Sequence, residues 1–304
     1  MAAHFDLEHP FLCLSLVVGT EMISAVGLMT HIFIIAVYVI DWKKTGNMAI
    51  SDQVIISIVI SKISLQIYIQ LSLFWEKSCN IEDFLYSFLI DAGYDSAVYS
   101  FIWLSTLLSV VYYLKVSKFH NAFLLYLRGQ LSKRILPVIF AVFLISIGLS
   151  VVNNGIYYKL FSQNSTQLLV PTDIDLDQAG VILLVLFNVI PFFICFMSWF
   201  LLITSLCFHV NQMKHNKQST LSLDVYYRTM QYTTVSVINC AMYVAINILV
   251  QDYHCLFSIF IFNFILTALS TFHSIYMICA TTKLKKWFSR ILRHGKNCLI
   301  RRND

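Results

Sequence analysis

Lys62 is the residue in this sequence with the strongest demand on its surroundings. It stands in the run Val54-Ile55-Ile56-Ser57-Ile58-Val59-Ile60-Ser61-Lys62-Ile63, among apolar and hydroxyl side chains. A cation inside an apolar segment faces the interior of a helix bundle and finds a partner there. Asp52, Ser61 and His31 are the groups expected to meet it, in a polar network that holds the resting bundle. A pairing that serves stability alone is the other reading, as is a snorkelling side chain. A second group is spread over several segments. Asp91, Tyr94, Asp95 and Val98 recur at i, i+3, i+4 and i+7, which puts them on one helix face. Gln66 and Gln70 lie one turn apart, Tyr243 and Asn247 repeat that spacing, and Asn263 sits at a similar depth. Polar groups within a bilayer are satisfied by other helices or by cavity water. Each of these is either an interhelical hydrogen bond or part of a ligand cavity. Phe187, Phe192, Tyr99 and Phe257 around them suit large apolar ligands, and a cavity-facing Asp91 or Asp95 would admit cationic amines. At the opposite helix ends stand Tyr112, Lys115, His120, Arg128, His209, Arg228 and His273. They read as a switch and contact face for a signalling partner, or as anchors in water.

Covalent chemistry is not indicated. His9, His254 and the scattered acids form no HExxH, no GxSxG and no glycine loop for phosphate. The eight cysteines include no CxxC pair and no metal-ligand spacing. The chain is therefore read as a non-enzyme with no cofactor and no metal.

The elements that must position these residues are membrane helices. Of 304 residues, 58% are hydrophobic and only 12% are charged, too few to cover a soluble protein. Mean hydropathy is +0.73. Apolar segments run over about 11–40, 52–74, 85–114, 133–154, 179–208, 229–250 and 257–280. This predicts an all-α membrane protein: a seven-transmembrane helix bundle with short loops, forming a single domain over 1–304. The start shows no basic n-region or cleavage site, so the first helix is expected to act as signal anchor. Alternate connections hold eighteen of the 21 Lys and Arg, which puts the N-terminus outside and the C-terminus in the cytoplasm. The net charge of +5 then reflects a basic face beside anionic lipid, not nucleic acid. The sequence's one N-x-Ser/Thr sequon, Asn164-Ser165-Thr166, falls in a connection assigned to the outside and is a glycosylation candidate. Beyond the last span, Leu284, Trp287, Phe288, Ile291 and Leu292 form one apolar stripe with a basic opposite face. That pattern predicts an interfacial helix over about 283–293. Cys298 just after it is either a palmitoylation site or a free thiol.

Seven helices with an outer N-terminus are the architecture of G-protein-coupled receptors, but channels and light-driven pumps share it. The third span ends Tyr112-Tyr113-Leu114-Lys115 with no Asp-Arg-Tyr, and the seventh has no Asn-Pro-x-x-Tyr and no Lys for retinal. Other stretches resemble the type 2 (bitter) taste receptors in the correct order. They are Ile40-Asp41-Trp42-Lys43-Lys44, Ile60-Ser61-Lys62-Ile63, Trp103-Leu104-Ser105-Thr106, Tyr112 to Ser117, Phe123 to Arg128, Pro191 with Ser205-Leu206 and His209, and His273-Ser274 with Lys283-Leu284-Lys285. By that resemblance His31 stands where the family has Asn, Lys62 for Arg, and Asn121 and Ser270 for Pro. Tyr94 stands where many members have a ligand-touching Trp, and Val98 where many have Asn. Asn164 falls at the family's glycan position. The resemblance implies small-molecule agonists and a heterotrimeric G protein of the gustducin/Gi type. It also implies phospholipase C and calcium downstream, and residence in the plasma membrane. A vomeronasal type 1-like pheromone receptor is the neighbouring alternative, and a seven-helix ion channel or transporter is the alternative from another class.

Overall fold

The computed structural model of the chain describes residues 10–78, 84–116, 122–164, 188–215, 220–252 and 256–303. Its helices, in chain order, are α1 (Pro10–Thr45), α2 (Ile50–Ser78), α3 (Phe84–Val116), α4 (Ala122–Asn164), α5 (Ile190–His215), α6 (Thr220–Asp252), α7 (Leu256–Ala280) and α8 (Thr282–Asn303). No strand occurs among the described residues. Helices satisfy their own backbone, which is what an apolar solvent demands. α1 to α7 close into a ring in which α1 packs on α2 and α7, α5 on α6, and α6 on α7. α3 touches α2, α4, α5 and α6 and so forms the axis of the bundle. α8 turns away after α7 and packs on α7 and α1.

The bundle is apolar on its outer surface as well as in its core, with polar groups set among the buried apolar residues. Ser, Thr, Asn, His31 and Lys62 lie inside, while Met29, Ile32, Phe140, Leu144, Phe193 and Phe200 point outward. α1 shows how sequence produces this. Its buried seam is Thr20, Ser24, Gly27, His31, Ile34 and Tyr38, at steps of three and four. Between them Met22, Val26, Met29 and Ile32 are apolar and face outward, as a lipid-facing surface requires.

Several elements differ from the reading of the sequence. α4 starts at Ala122 rather than near 133. Its first three turns are rich in Leu, Arg, Gln and Lys, good helix formers that carry too much charge to register as a span. The helix kinks at Arg134 (φ −123°, ψ 23°), one turn before Pro137, whose ring and missing N–H disrupt the preceding turn. α4 also runs on to Asn164, so the sequon asparagine ends a helix, and its side chain lies outside the described residues. The fifth span was expected from 179. α5 is described from Ile190, after a π turn at 188–189, and 179–187 lie outside the described residues. α8 continues past Cys298, whose side chain also lies outside the described residues. Gly295 does not end it, because one interior glycine weakens a helix by only about 1 kcal/mol.

Among the described residues, six helices are long and apolar enough to cross a membrane: α1 to α5 and α7. α6 carries Gln231, Thr233, Thr234, Ser236, Asn239 and Asn247 along its length. Thr233, Asn239 and Asn247 are buried, so its polar face is spent inside the bundle.

Two glycines set helix separations and caps. Gly46 (φ 68°) ends α1 in the left-handed conformation, with its N–H donated to the Trp42 carbonyl at 2.8 Å. Gly27 lies where α1 meets α2 and α7, and a Cβ there would overlap Gln66 Nε2 and Thr271 Oγ1. Gly129 has open space around it. Gly27→Ala is therefore expected to destabilise the bundle by about 1–3 kcal/mol through overpacking. Gly129→Ala is expected to be neutral or to stabilise by up to about 1 kcal/mol. Thermal unfolding of the purified variants in detergent measures both.

Candidate functional site

The polar side chains fall into three levels, named here from the end of the bundle that carries α8. At the α8 end, Lys283 is the hub. Its Nζ lies 2.6 Å from Asp41 of α1 and 3.0 Å from Asp52 of α2. It also stands 4.6 Å above the Tyr38 ring. Burial acts to lower the Lys283 pKa, but its bonds to Asp41 and Asp52 outweigh that and raise it. The ammonium therefore stays charged throughout the physiological range. One lysine at the α7–α8 corner thus ties α8 to both ends of the first turn. Phe33 against Phe288 (6.0 Å) and Lys44 over Trp287 (5.0 Å) add packing between α1 and α8.

The middle level contains Lys62, fully buried at 0% exposure. Its Nζ lies 2.8 Å from His273 Nδ1 of α7 and donates to the Ser270 carbonyl at 3.4 Å. With Lys62 protonated its ammonium can only donate, which makes His273 Nδ1 the acceptor and puts the imidazole proton on Nε2. That nitrogen lies 3.0 Å from Ser236 Oγ of α6 and donates to it. The relay therefore runs α2 to α7 to α6. Beside it, His31 of α1 reaches Gln66 of α2 through Nδ1 (3.2 Å) and Ser274 of α7 through Nε2 (2.7 Å). Lys62 also stands 5.3 Å above the Phe101 ring of α3. Five of the seven bundle helices meet in this belt. Next to it, toward the α8 end, Tyr112 of α3 stacks edge-on against Tyr232 of α6 at 6.1 Å. The Tyr232 ring lies 6.2 Å from His273. Tyr112, Tyr232, Ser236 and His273 line a narrow cleft beside the belt.

The third level lies toward the opposite end. The Tyr243 hydroxyl donates to the Leu266 carbonyl at 3.1 Å, and its ring packs 4.7 Å from Phe101. Asn247 Nδ2 donates to Asn188 Oδ1 at 3.1 Å, joining α6 to the start of α5. Nearer the α8 end than Phe101, Thr106 of α3 donates to the Pro191 carbonyl at 2.9 Å and holds the start of α5 against α3. Val98 is buried in the core, Tyr94 packs against it half-buried, and Asn263 is buried on α7.

The expected residues are thus divided among distinct surroundings. Tyr94, Val98, Tyr243 and Asn247 belong to the third level. Asp95 turns to α4, where Asn154 donates to it at 2.8 Å and Asn153 at 3.4 Å. Gln70 turns to α1, with its amide positioned to bond the Glu21 carboxylate and the Ser24 hydroxyl. Gln66 serves the middle belt. Phe187 lies outside the described residues, as does the side chain of His209. Lys115 is exposed at the end of α3, and Arg228 is half-exposed on α6.

Two expectations are corrected. Asp52 and Ser61 are not partners of Lys62: Asp52 belongs to Lys283, and the Ser61 hydroxyl donates to the Ser57 carbonyl. Ten residues of helix separate Asp52 from Lys62 by about 15 Å, beyond a lysine's reach. His273 is not at the bundle end but inside the belt, 3% exposed. Reading the sequence missed Lys283 as a clamp, and also Ser236, Asn188, Asn153 and Asn154. An Asp closing the first span and another opening the second are the signal that a cation must sit between them.

The belt generates a stability prediction. His273→Leu leaves the buried Lys62 without a side-chain acceptor and should destabilise the bundle by about 3–5 kcal/mol. Adding Lys62→Met to His273→Leu removes the stranded charge and should restore most of that loss. Thermal unfolding of the two single variants and the double variant checks the non-additivity.

The comparisons agree with this architecture. A family model described as Taste receptor protein (TAS2R) matches residues 8–296. Taste receptor type 2 member 9 of Macaca mulatta is 26% identical over 289 residues, covering 91% of this chain and 93% of the relative. The putative taste receptor type 2 member 33 of Homo sapiens is 29% identical over 274 residues, covering 86% and 88%. Taste receptor type 2 member 19 of Pan paniscus is 27% identical over 294 residues, covering 93% and 97%. A match over nearly the whole chain, on a helical membrane bundle with a polar interior, places this protein in the type 2 taste receptor family.

Proposed function

We propose that the chain is a bitter-compound receptor that activates a heterotrimeric G protein of the gustducin/Gi type, upstream of phospholipase C and calcium. The observation that carries this reading is the relay Lys62–His273–Ser236, which ties α6 to α2 through α7 at mid-depth. Above it lie Tyr243 and Asn247, and below it lie Tyr112 and Tyr232, all close to α6. A small molecule entering from the end opposite α8 meets Tyr94, Val98, Tyr243, Asn247 and Asn263. An agonist that binds tighter when α6 has shifted would draw the population toward that arrangement. The shift breaks the Ser236 bond, separates Tyr232 from Tyr112, and opens the α8 end to the G protein.

Exposed cations support an orientation with the α8 end in the cytoplasm of the plasma membrane. Lys43, Lys44, Lys115, Arg128, Lys133, Lys285 and Lys286 are all exposed there. The opposite end carries Glu21 and Asp91 among its exposed residues. Residues 1–304 would act as one receptor domain, with a glycan on Asn164.

The test is a calcium assay in cells that express the full chain with a calcium-coupling G protein. A panel of bitter compounds should produce a dose-dependent rise that vanishes without the G protein. Tyr243→Ala and Asn247→Ala should each raise the half-maximal agonist concentration at least tenfold at unchanged surface expression. Leu144→Ala on the outward face of α4 should leave it unchanged. A current that persists without G protein would contradict the receptor reading.

A further inference from the structure

One group of cations lies apart from the Lys62–His273–Ser236 relay and from the Tyr112–Tyr232 pair. Arg228 of α6 and Lys285, Lys286, Arg290 and Arg293 of α8 line a single open cleft. Lys286, Arg290 and Arg293 follow at i, i+4 and i+7, so they share one face of α8. The ion pairs formed among the described residues are those of Lys283, which does not line the cleft. The cleft therefore concentrates five positive charges, four of them on α8; Asp224, one turn before Arg228 on α6, has its side chain outside the described residues. Arg290 is held over the Trp287 ring at 4.9 Å, which fixes its guanidinium near the cleft. Thr282 and Ser289 complete the lining and offer hydroxyl donors without adding charge. Arginine forks and hydroxyls together match the oxygens of phosphate groups.

The neighbouring apolar stripe says where that phosphate comes from. Phe288, Ile291 and Leu292 on α8 are 45%, 52% and 58% exposed. On an interfacial helix they enter the acyl boundary and set the basic cleft at headgroup depth. A soluble anion would need no such stripe beside its site. One monovalent headgroup leaves most of the five charges unbalanced, whereas a headgroup with several phosphates balances them.

We propose that the α6–α8 cleft binds a lipid headgroup bearing more than one phosphate, of the phosphoinositide class, with Arg228, Lys286, Arg290 and Arg293 as its main ligands. The bound lipid bridges the α8 end of α6 to α8. Its influence on signalling rests on the receptor reading above, while its binding does not.

The experiment uses the full chain in phosphatidylcholine nanodiscs and measures binding of short-chain phosphatidylinositol bisphosphate by native mass spectrometry. Short-chain phosphatidylserine and free inositol trisphosphate are the comparison ligands. The bisphosphate lipid should bind at least tenfold tighter than either. Lys286→Gln with Arg290→Gln should weaken it at least tenfold. Lys43→Gln with Lys133→Gln, which removes equal charge elsewhere at the same end, should not. Equal binding of phosphatidylserine, or equal weakening by both double variants, would overturn the site in favour of diffuse surface charge. Equal binding of free inositol trisphosphate would overturn the lipid as its source. Nanodiscs expose both faces and the assay contains neither agonist nor G protein, so a failure of the receptor reading leaves its outcome unaffected.

Discussion

A lysine with 0% exposure in the middle of a helix bundle is the constraint around which the rest of this protein is arranged. A charge at that depth is tolerable only if the fold supplies acceptors at fixed positions. The fold supplies an imidazole nitrogen, a backbone carbonyl and the face of a phenyl ring, from α7 and α3. No carboxylate is involved, so the site does not neutralise the charge but spreads it over dipoles. That choice fixes the tautomer of His273, which in turn fixes the hydroxyl partner on α6. The helices need no large apolar interface to agree on their rotation, because rotating α7 or α6 would strand a donor. Lipid gives little hydrophobic drive between helices, so this polar registry carries weight that a soluble core would assign to packing.

The same reasoning separates the two ends of the bundle. At the α8 end, Lys283 closes two aspartates into one clamp that anchors α8, α1 and α2. α6 has no part in that clamp, and its connections there are aromatic edges and a basic cleft. α1, α2 and α8 thus form one clamped side, while the described tie of α6 to α3 at this end is the Tyr112–Tyr232 ring contact. Trp199 donating to Thr234 keeps α5 with α6, so the two can move together.

Much of this was legible in the sequence. The spans could be read because helix is the form a long apolar segment takes in lipid, and the α8 stripe because amphipathic spacing is local. Lys62 could be singled out because a charge breaks the apolar pattern. Its partner could not, because that depends on the rotation of α7 against α2, which no local spacing encodes. The face Asp91, Tyr94, Asp95, Val98 illustrates the limit. Successive residues differ by about 100° around a helix, so Tyr94 can meet the core while Asp95 meets α4. Polarity along one strip did not reveal that two different neighbours share it. The resemblance to the family supplied the class of function. His31 and Lys62, which the resemblance marked as departures, are two centres of the interior belt.

The central claim is that the Ser236–His273–Lys62 relay holds α6 in its resting place. The most direct measurement is the distance between spin labels at Lys115→Cys on α3 and Tyr227→Cys on α6, with every native cysteine except the buried Cys195 and Cys240 replaced. Pulsed electron resonance would compare the parent chain with a Ser236→Ala variant, each with and without agonist. The account predicts one short distance at rest, and a second, longer one on adding agonist. In Ser236→Ala it predicts part of that longer population without agonist. A single distance unchanged by both agonist and Ser236→Ala would contradict it.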